Sequence, residues 1–186
     1  MPVVACCRDD FSSHLPIMAR ATPQHPLWQA MLSGSWYQTR AKGLAQARAY
    51  AKELCWQFNC SDLSETERDG ILARLLPNAR NIQLSPPFYC DYGANIHAGS
   101  NVSLAGGVTI LDAGEVHIGA NTRVGAGVVV CALHHPLDAK RRNLGWQRSE
   151  PIFIGSNVEI GNNVTILPGA RIPDGSVITD NSVVRG

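Results

Sequence analysis

Aromatic and charged residues are scarce in this chain of 186 residues. Phe, Trp and Tyr make up 6% of it, Asp, Glu, Lys and Arg make up 17%, and the formal net charge is +1. This composition excludes a disordered acidic or polybasic chain and leaves no electrostatic footprint for nucleic acid. The longest apolar run, residues 124–133, is about half as long as a membrane span requires. We therefore expect a globular protein that partners neither nucleic acid nor membrane.

Zinc-binding patterns and a secretion signal are also missing. The six cysteines form no Cys-X-X-Cys pair, and no Cys/His spacing resembles a zinc site. The N-terminus carries Arg8, Asp9 and Asp10 in place of the apolar stretch of a signal peptide. The sequence therefore predicts a cytoplasmic protein without a metal cofactor.

Glycine is rare in the first half of the chain. Only three of the 17 glycines, Gly34, Gly43 and Gly70, precede residue 93. A chain with one ordinary core is not usually divided in this way, so we expect two regions built on different rules. Ahead of both, residues 1–25 contain several prolines and no sustained period, which indicates an irregular N-terminal extension.

Residues 26–80 carry the patterns of short helices. Apolar side chains recur at three- and four-residue spacing between Ala41 and Phe58, which places them on one stripe of a helix. Ser64 and Glu67 have the spacing of a capping box, and the helix that they begin must end near Pro77. Helices this short are marginal alone, so their apolar stripes must dock on another part of the protein.

From residue 84 the apolar residues recur every six positions, a period that neither a helix nor a single strand produces. The positions are Leu84, Cys90, Ile96, Val102 and Val108, then, after a four-residue slip, Ile118, Val124 and Val130, and finally Ile154, Ile160, Ile166, Ile172, Ile178 and Val184. Gly, Asn and Asp in the intervals favour turns. A strand and a turn every six residues predict a mainly β fold, a parallel β-helix over residues 84–186, whose repeated side chains stack inward.

The repeat is interrupted once, between Val130 and Ile154. The inserted segment, about residues 133–151, is called the excursion loop below, and it contains His134, His135 and several basic side chains. A loop that leaves a regular solenoid usually serves a site. Imidazole can accept a proton near neutral pH and pass it on. On position alone, solvated histidines on a surface loop are an equally good interpretation.

Five motifs follow one another along the chain. They are Gly-Ser-Trp-Tyr at 34–37, Pro-Pro-Phe-Tyr-Cys-Asp-Tyr-Gly with Asn-Ile-His at 86–97, Ile-Leu-Asp at 110–112, His-Pro-Leu-Asp at 135–138 and Ile-Leu-Pro-Gly at 166–169. Together they resemble the maltose and galactoside O-acetyltransferase branch of the hexapeptide-repeat acyltransferases, over roughly residues 28–184. The resemblance implies a left-handed β-helix, a homotrimer with active sites between subunits, acetyl-CoA as acyl donor and a sugar-like acceptor.

The same resemblance implies roles for individual residues. It makes His135 the general base, places Asp91 and Asp112 in the acceptor pocket as hydrogen-bond partners of sugar hydroxyls, and places Asn162, Asp180 and Arg185 at the CoA. The backbone N–H groups of the Gly161-Asn162 turn would stabilise the oxyanion. For both aspartates, a role as turn-stabilising residues stays open.

Several positions depart from the family pattern. Ala105 stands where the family carries an Asn, Glu159 where it carries a Trp, and Thr179-Asp180-Asn181 where it carries Gly-Ala-Gly. The last change adds bulk and charge where the pantetheine arm of CoA would pass. A catalytically impaired trimeric scaffold with the same fold is therefore an alternative.

A second alternative is a zinc enzyme similar to the γ-class carbonic anhydrases. Its candidate ligands are His97, His117 and His135, whose gaps of 20 and 18 residues do not resemble the short second spacing of that family. We prefer the acetyltransferase hypothesis.

Overall fold

The computed structural model describes residues 22–60 and 62–186, so most of the predicted extension over residues 1–25 lies outside the described residues. The helices in the described part are α1 (Pro26–Leu32), α2 (Lys42–Phe58), α3 (Glu65–Leu75) and α4 (Ala139–Asn143). α2 and α3 are the two helices that the sequence patterns predict best. In α3 the capping box is present: the Ser64 hydroxyl accepts from the Glu67 backbone N–H, and the Glu67 carboxylate accepts from that of Ser64.

Three parallel sheets form the faces of a β-helix. The first sheet contains β4 (Ile96–Ala98), β7 (Val116–Ile118), β12 (Ile152–Ile154) and β15 (Arg171–Ile172). The second contains β2 (Gln83–Leu84), β5 (Ser103–Leu104), β8 (Arg123–Val124), β13 (Glu159–Ile160) and β16 (Val177–Ile178). The third contains β3 (Phe88–Cys90), β6 (Val108–Leu111), β9 (Val129–Cys131), β14 (Thr165–Ile166) and β17 (Val183–Val184). The predicted fold class is confirmed.

Most β-helix repeats bury two inward positions, usually both apolar, whereas the six-residue pattern assigns one. In the first sheet, for example, Val116 and Ile118 are both buried, and they pair with Ile152 and Ile154 of the next coil. The six-residue pattern follows the second of these positions at Leu84 and Cys90, the first from Ile96 to Val108, and the second again from Ile118 onward. The change of position between Val108 and Ile118 accounts for half of the four-residue slip.

The other half of the slip is a longer turn at one edge, between the third sheet and the first; we call it the long edge. Register partners fix its length in each coil: eight residues from Cys90 to Ala98 and from Ile110 to Ile118, and 24 from Val130 to Ile154. In the last coil the same step, from Ile166 to Ile172, takes six residues. Three successive coils therefore carry extra residues at the same edge.

The helical segment closes one end of the β-helix. Leu54 and Phe58 of α2, with Leu75 of α3, belong to the same buried apolar cluster as the β-helix interior. Full burial of a side chain of this size stabilises the folded state by about 1.5–3 kcal/mol. At the opposite end, the inward-facing Ile178 and Val184 are only partly buried because no further coil covers them.

A smaller apolar cluster joins α1 and α2 to the long edge. Its buried members include Trp28 and Met31 of α1, Leu44 of α2, Tyr92 of the first long turn and Leu133 of the excursion loop. Among residues 22–60 and 62–186, no helix is both long enough and apolar enough to cross a membrane.

Candidate active site

The excursion loop folds against the N-terminal segment. Its strands β10 (Leu133–His134) and β11 (Trp146–Ser149) form an antiparallel sheet with β1 (Trp36–Gln38), a strand that the sequence analysis did not predict. Arg148 of β11 pairs with Trp36 on one side and with His134 on the other. The loop is therefore fixed on both sides of the position where the two histidines occur.

The two adjacent histidines have different surroundings. The His134 Nε2 atom lies 2.7 Å from Glu150 Oε2 and forms an ion pair with it when protonated. His135 is exposed, and none of the hydrogen bonds or ion pairs within residues 22–60 and 62–186 involves its imidazole. Of the two rings, that of His135 is thus available to a substrate.

The backbone that follows His135 is held by basic side chains of the loop. Arg142 Nη1 donates to the carbonyl oxygens of Pro136 and Leu137, both at 2.8 Å. The Asp138 carboxylate caps α4 by accepting from the Lys140 backbone N–H at 2.9 Å. The basic residues of this loop are therefore partly used in fixing its shape.

The Arg141 guanidinium packs between two aromatic rings. It lies 4.8 Å from the Trp36 ring centre and 5.5 Å from that of Trp146. Contacts of this kind contribute about 0.5–1 kcal/mol at exposed sites. They join α4 to the sheet formed by β1 and β11.

Asp112 does not occupy the position that we predicted for it. Its side chain is 0% exposed, so an acceptor hydroxyl cannot reach it in the described chain. Its Oδ1 accepts from the backbone N–H groups of Asp91 at 3.0 Å and Tyr92 at 2.8 Å, and its Oδ2 accepts from that of Asn95 at 3.3 Å. Asp112 is a buried acceptor that shapes the first long turn, as in the alternative left open for it.

The network around Asp112 extends to the N-terminal segment. Asn95 Nδ2 donates to the Asp112 carbonyl oxygen at 2.7 Å, and Trp28 Nε1 donates to Asn95 Oδ1 at 2.9 Å. Burial raises the pKa of Asp112 to about 7, although the backbone donors oppose this rise. The network connects two successive long turns with α1.

Asp91 is partly exposed beside a group of polar side chains. Burial raises the pKa of Asp91, and the positive charge of Arg48 opposes this effect. Arg48 donates to the Tyr92 hydroxyl and to the Thr39 carbonyl oxygen, both at 2.6 Å. Burial likewise raises the pKa of Tyr92 to about 12, so the phenol stays protonated. Asp91 thus keeps the accessible position that a hydroxyl-binding carboxylate requires.

Asn162 and Asp180 contact each other. They line an open groove of about 590 Å³ along the second sheet, together with Glu159 and Thr179. The Asn162 backbone N–H donates to Asp180 Oδ1 at 2.7 Å, and the Gly161 N–H donates to the Ile178 carbonyl oxygen at 2.8 Å. Both backbone donors expected to face an oxyanion are therefore occupied in the described chain.

A contact of the same kind as that between Asp180 and Asn162 occurs in the turn at the neighbouring edge of the β-helix. Asp174 Oδ1 accepts from the Ser156 backbone N–H at the same distance of 2.7 Å and at the same spacing of 18 residues. Arg185 is exposed after β17, and no hydrogen bond or ion pair within the described ranges joins it to Asn162 or Asp180. Asp180 therefore has a structural role whether or not it meets CoA.

The sequence analysis missed several residues of this region. Arg48, Asn95 and Trp28 lie on a helix, a turn and another helix, and no motif joins them. Glu150, the partner of His134, follows β11 at the end of the excursion loop. Asn95 and Glu150 lie on long turns at the same edge of successive coils, whereas Arg48 and Trp28 lie on helices and share no sequence signal with them.

The zinc-enzyme alternative required three histidines to meet. His97 and His117 do lie side by side, with ring centres 4.6 Å apart. The third member of their group is Glu115, and His135 is not part of it within the described residues. The arrangement of three histidines is not formed within this chain.

Comparison with known proteins gives consistent results. Residues 30–79 match the family described as the maltose acetyltransferase hexapeptide capping motif. The chain is 35% identical to galactoside O-acetyltransferase of Escherichia coli K12 over 137 residues, which is 73% of this chain and 68% of that protein. A solved maltose O-acetyltransferase from Clostridium difficile has a TM-score of 0.80 at 36% identity, over 84% of this chain and 85% of that chain. A galactoside acetyltransferase solved in complex with coenzyme A has a TM-score of 0.78 at 34% identity, over 87% and 86% of the two chains.

Proposed function

The chain belongs to the family of hexapeptide-repeat O-acetyltransferases that includes the maltose and galactoside enzymes, and we propose that it transfers the acetyl group of acetyl-CoA to a hydroxyl of a sugar or a related small acceptor, with His135 as general base. The observation that carries this proposal is the difference between the adjacent histidines: Glu150 engages His134, whereas the His135 imidazole is exposed on a fixed backbone. The CoA complex of a related galactoside acetyltransferase supports the choice of donor.

The proposed chemistry needs one proton acceptor. A sugar hydroxyl is a weak nucleophile at neutral pH, so His135 takes its proton as the oxygen attacks the thioester carbonyl carbon. The C–S bond then breaks, and the imidazolium returns the proton to the departing thiolate. Positioned general-base catalysis of this type contributes about 10²–10⁴ in rate.

The acceptor side of the proposed site is the group around Asp91. Its carboxylate accepts hydrogen bonds from hydroxyl groups, and the neutral Tyr92 phenol and the Arg48 guanidinium add polar groups beside it. We assign Asp112 the task of holding the backbone of Asp91 and Tyr92 in place. This replaces the direct contact with the acceptor that the sequence suggested.

The donor side of the proposed site is the groove along the second sheet. Asn162 and Asp180 line it, and Arg185 lies near the same end of the β-helix, where its charge can meet a phosphate. Because Asp180 occupies the Asn162 backbone N–H, that donor reaches an oxyanion only after the aspartate turns away.

We further propose a homotrimer in which the excursion loop reaches a neighbouring subunit. Leu137, two residues after His135, is 98% exposed. A large apolar side chain so fully exposed beside a proposed catalytic residue is best explained by a partner surface that covers it. Light scattering should then give about three times the chain mass of 20.1 kDa.

An impaired scaffold remains the second candidate because of one observation. The Asp180 carboxylate places negative charge and a hydrogen bond at the backbone donor, at the position of the alanine in the family's Gly-Ala-Gly step. If this blocks the donor side, the trimer assembles but does not bind acetyl-CoA. Binding and turnover measured on the same sample distinguish the two candidates.

The test of the proposed function combines acetyl-CoA binding with two histidine variants. Acetyl-CoA at about 100 times its dissociation constant should stabilise the protein by about 2.7 kcal/mol and raise its melting temperature. His135→Ala should lower kcat about 10²–10⁴-fold for acetylation of a hydroxylated acceptor, measured by CoA release. His134→Gln, which keeps a hydrogen-bonding group near Glu150, is the matched control and should retain most of the activity.

Three results would overturn this proposal. An unchanged melting temperature at millimolar acetyl-CoA would show that acetyl-CoA does not bind, and would favour the catalytically impaired scaffold. Equal loss of activity in both variants would show that the loop as a whole, and not the His135 imidazole, is needed. Full activity of His135→Ala would show that His135 is not the general base.

A further inference from the structure

A group of metal-ligating side chains lies on the outer face of the first sheet, within the first two coils. His97 of β4 pairs in register with His117 of β7, and Glu115 stands two residues before His117 on the same face. The His117 Nε2 atom lies 3.1 Å from Glu115 Oε2, and the His97 Nε2 atom lies 3.8 Å from Glu115 Oε1. One possible ligand atom from each residue falls within 4.8 Å of the other two. No part of the proposed acetyl transfer uses this cluster.

Stacking places the two imidazole rings side by side. The His97 and His117 rings are nearly parallel, with an interplanar angle of 8°. Phe153 of the next coil stacks on the other side of His117, with ring centres 4.9 Å apart, and the Arg171 guanidinium covers Phe153 at 4.3 Å. The β-helix therefore presents both imidazole edges on one side, beside a carboxylate, and keeps the cation of Arg171 on the far side of a phenyl ring.

The exposure of these groups suits a bound cation. The side chains of His97, His117 and Glu115 are 35%, 36% and 43% exposed. An open groove lined by Asn78, Ser100 and His97 lies alongside and leaves room for water as a further ligand.

We propose that His97, His117 and Glu115 bind one divalent transition-metal ion, with Zn²⁺ as the fitting species. Two imidazole nitrogens and one carboxylate, with water in a fourth position, are a common zinc coordination set, and imidazole selects zinc over magnesium. Zinc bonds of about 2.0–2.2 Å require the two stacked rings to tilt toward each other. The ion cross-links β4 and β7, so it stabilises the first two coils.

The test measures Zn²⁺ binding to the full chain by competition with a chelating indicator, together with melting temperatures in the presence and absence of Zn²⁺. His117→Phe is the informative variant, because a phenyl ring keeps the stack between His97 and Phe153 but offers no ligand. Glu115→Gln keeps the shape of the third residue and removes its charge. His134→Gln is the matched control, because His134 also has a carboxylate neighbour, Glu150 at 2.7 Å, but lies outside the cluster.

We expect one zinc ion to be lost from the binding stoichiometry in His117→Phe and the affinity to fall at least about tenfold in Glu115→Gln, with no change in His134→Gln. Zn²⁺ should raise the melting temperature of the unmodified chain and of His134→Gln to the same extent, that of Glu115→Gln less at the same concentration, and that of His117→Phe not at all. Mg²⁺ should have no effect. Unchanged stoichiometry and affinity in His117→Phe would overturn the proposal, as would an unmodified chain that binds no zinc. Should His117→Phe fail to fold, Glu115→Gln and His97→Asn give the same comparison. The readout is metal binding, so its failure leaves the acetyl-transfer proposal intact.

Discussion

Asp112 allows a sharp test of how the first long turn is held. Asp112→Ala removes the acceptor of three backbone N–H groups, of which those of Tyr92 and Asn95 are buried and that of Asp91 is partly exposed. A buried donor without a partner costs about 1–3 kcal/mol. The two buried donors, with a smaller cost for the third, give a loss of about 3–6 kcal/mol. This is a large share of the 5–15 kcal/mol by which a typical domain is stable.

Asp112→Asn is the matched variant because it keeps one oxygen. If that oxygen takes the place of Oδ1, the donors of Asp91 and Tyr92 stay bonded, and the new amide group faces the Asn95 N–H. One buried donor is then lost, so we expect a destabilisation of about 1–3 kcal/mol. The order of stability should be the unmodified chain, then the Asn variant, then the Ala variant.

The ionisation of Asp112 adds a dependence on pH with a defined sign. Burial raises its pKa to about 7 in the folded protein, against about 3.9 in an unfolded chain. Between these values the folded protein holds a proton that the unfolded chain has released, so stability is highest below pH 4 and falls as the pH rises toward 7. The full difference corresponds to about 4 kcal/mol, with a slope of at most about 1.4 kcal/mol per pH unit.

Urea unfolding at fixed protein concentration between pH 4 and pH 8 measures both effects. The free energy of unfolding of the unmodified chain should decline over this range more steeply than that of Asp112→Asn, which has no ionisable group at this position. Asp91, whose pKa is also raised, is present in both proteins, so its contribution largely cancels in the comparison. Parallel curves for the two proteins would refute the reasoning about burial and ionisation. An Ala variant as stable as the Asn variant would refute the role of the three N–H donors.

Two further comparisons use matched pairs within the β-helix. Asp180→Ala should lower the KM for acetyl-CoA because it removes a negative charge from the donor groove. Asp174→Ala removes the same kind of contact from the Ser156 N–H, outside the donor groove, and should change stability only. Steady-state kinetics would contradict this if the KM for acetyl-CoA stayed the same in Asp180→Ala. Gly119→Ala should destabilise by about 1–3 kcal/mol or more, because its Cβ would lie 2.4 Å from the backbone nitrogen of Ser156. Gly70→Ala, in α3 with no atom within 4 Å of the added Cβ, should stabilise by about 0.5–1 kcal/mol. Thermal unfolding of both variants checks this, and a Gly119 variant as stable as the unmodified chain would show that neighbouring coils can separate.

Much of the fold could be predicted because it depends on local spacing. The capping box at Ser64 and the stripe of α2 are properties of single helices, and six-residue periodicity needs only one strand and one turn. Strand β1 was not predicted, because three residues carry no period and the strand exists only through pairing with β11, more than 100 residues later. Such pairing cannot be seen in local patterns.

Residues of the candidate site could be predicted where a motif specifies the residue type, but not where their role depends on tertiary packing. The His-Pro-Leu-Asp motif singles out His135, whereas the contact that engages His134 comes from Glu150, which follows a different strand and belongs to no motif. The role of Asp112 was misjudged for the same reason: the sequence shows that it is an aspartate at a turn, but its burial depends on the neighbouring coil and on α1. The family resemblance places the position of Asp180 at the CoA. The backbone N–H to which its carboxylate is bonded could not be inferred without the register between coils.

The register of the coils has a consequence for how this protein can diversify. Inward side chains stack with the same partners whether the long edge holds six, eight or 24 residues per step. Chain length at that edge is thus decoupled from the packing of the interior. Residues can be gained or lost there one coil at a time, so that a pocket is remodelled while the scaffold stays the same. The other two edges have no such freedom to lengthen in this chain, since their turns keep one length from coil to coil.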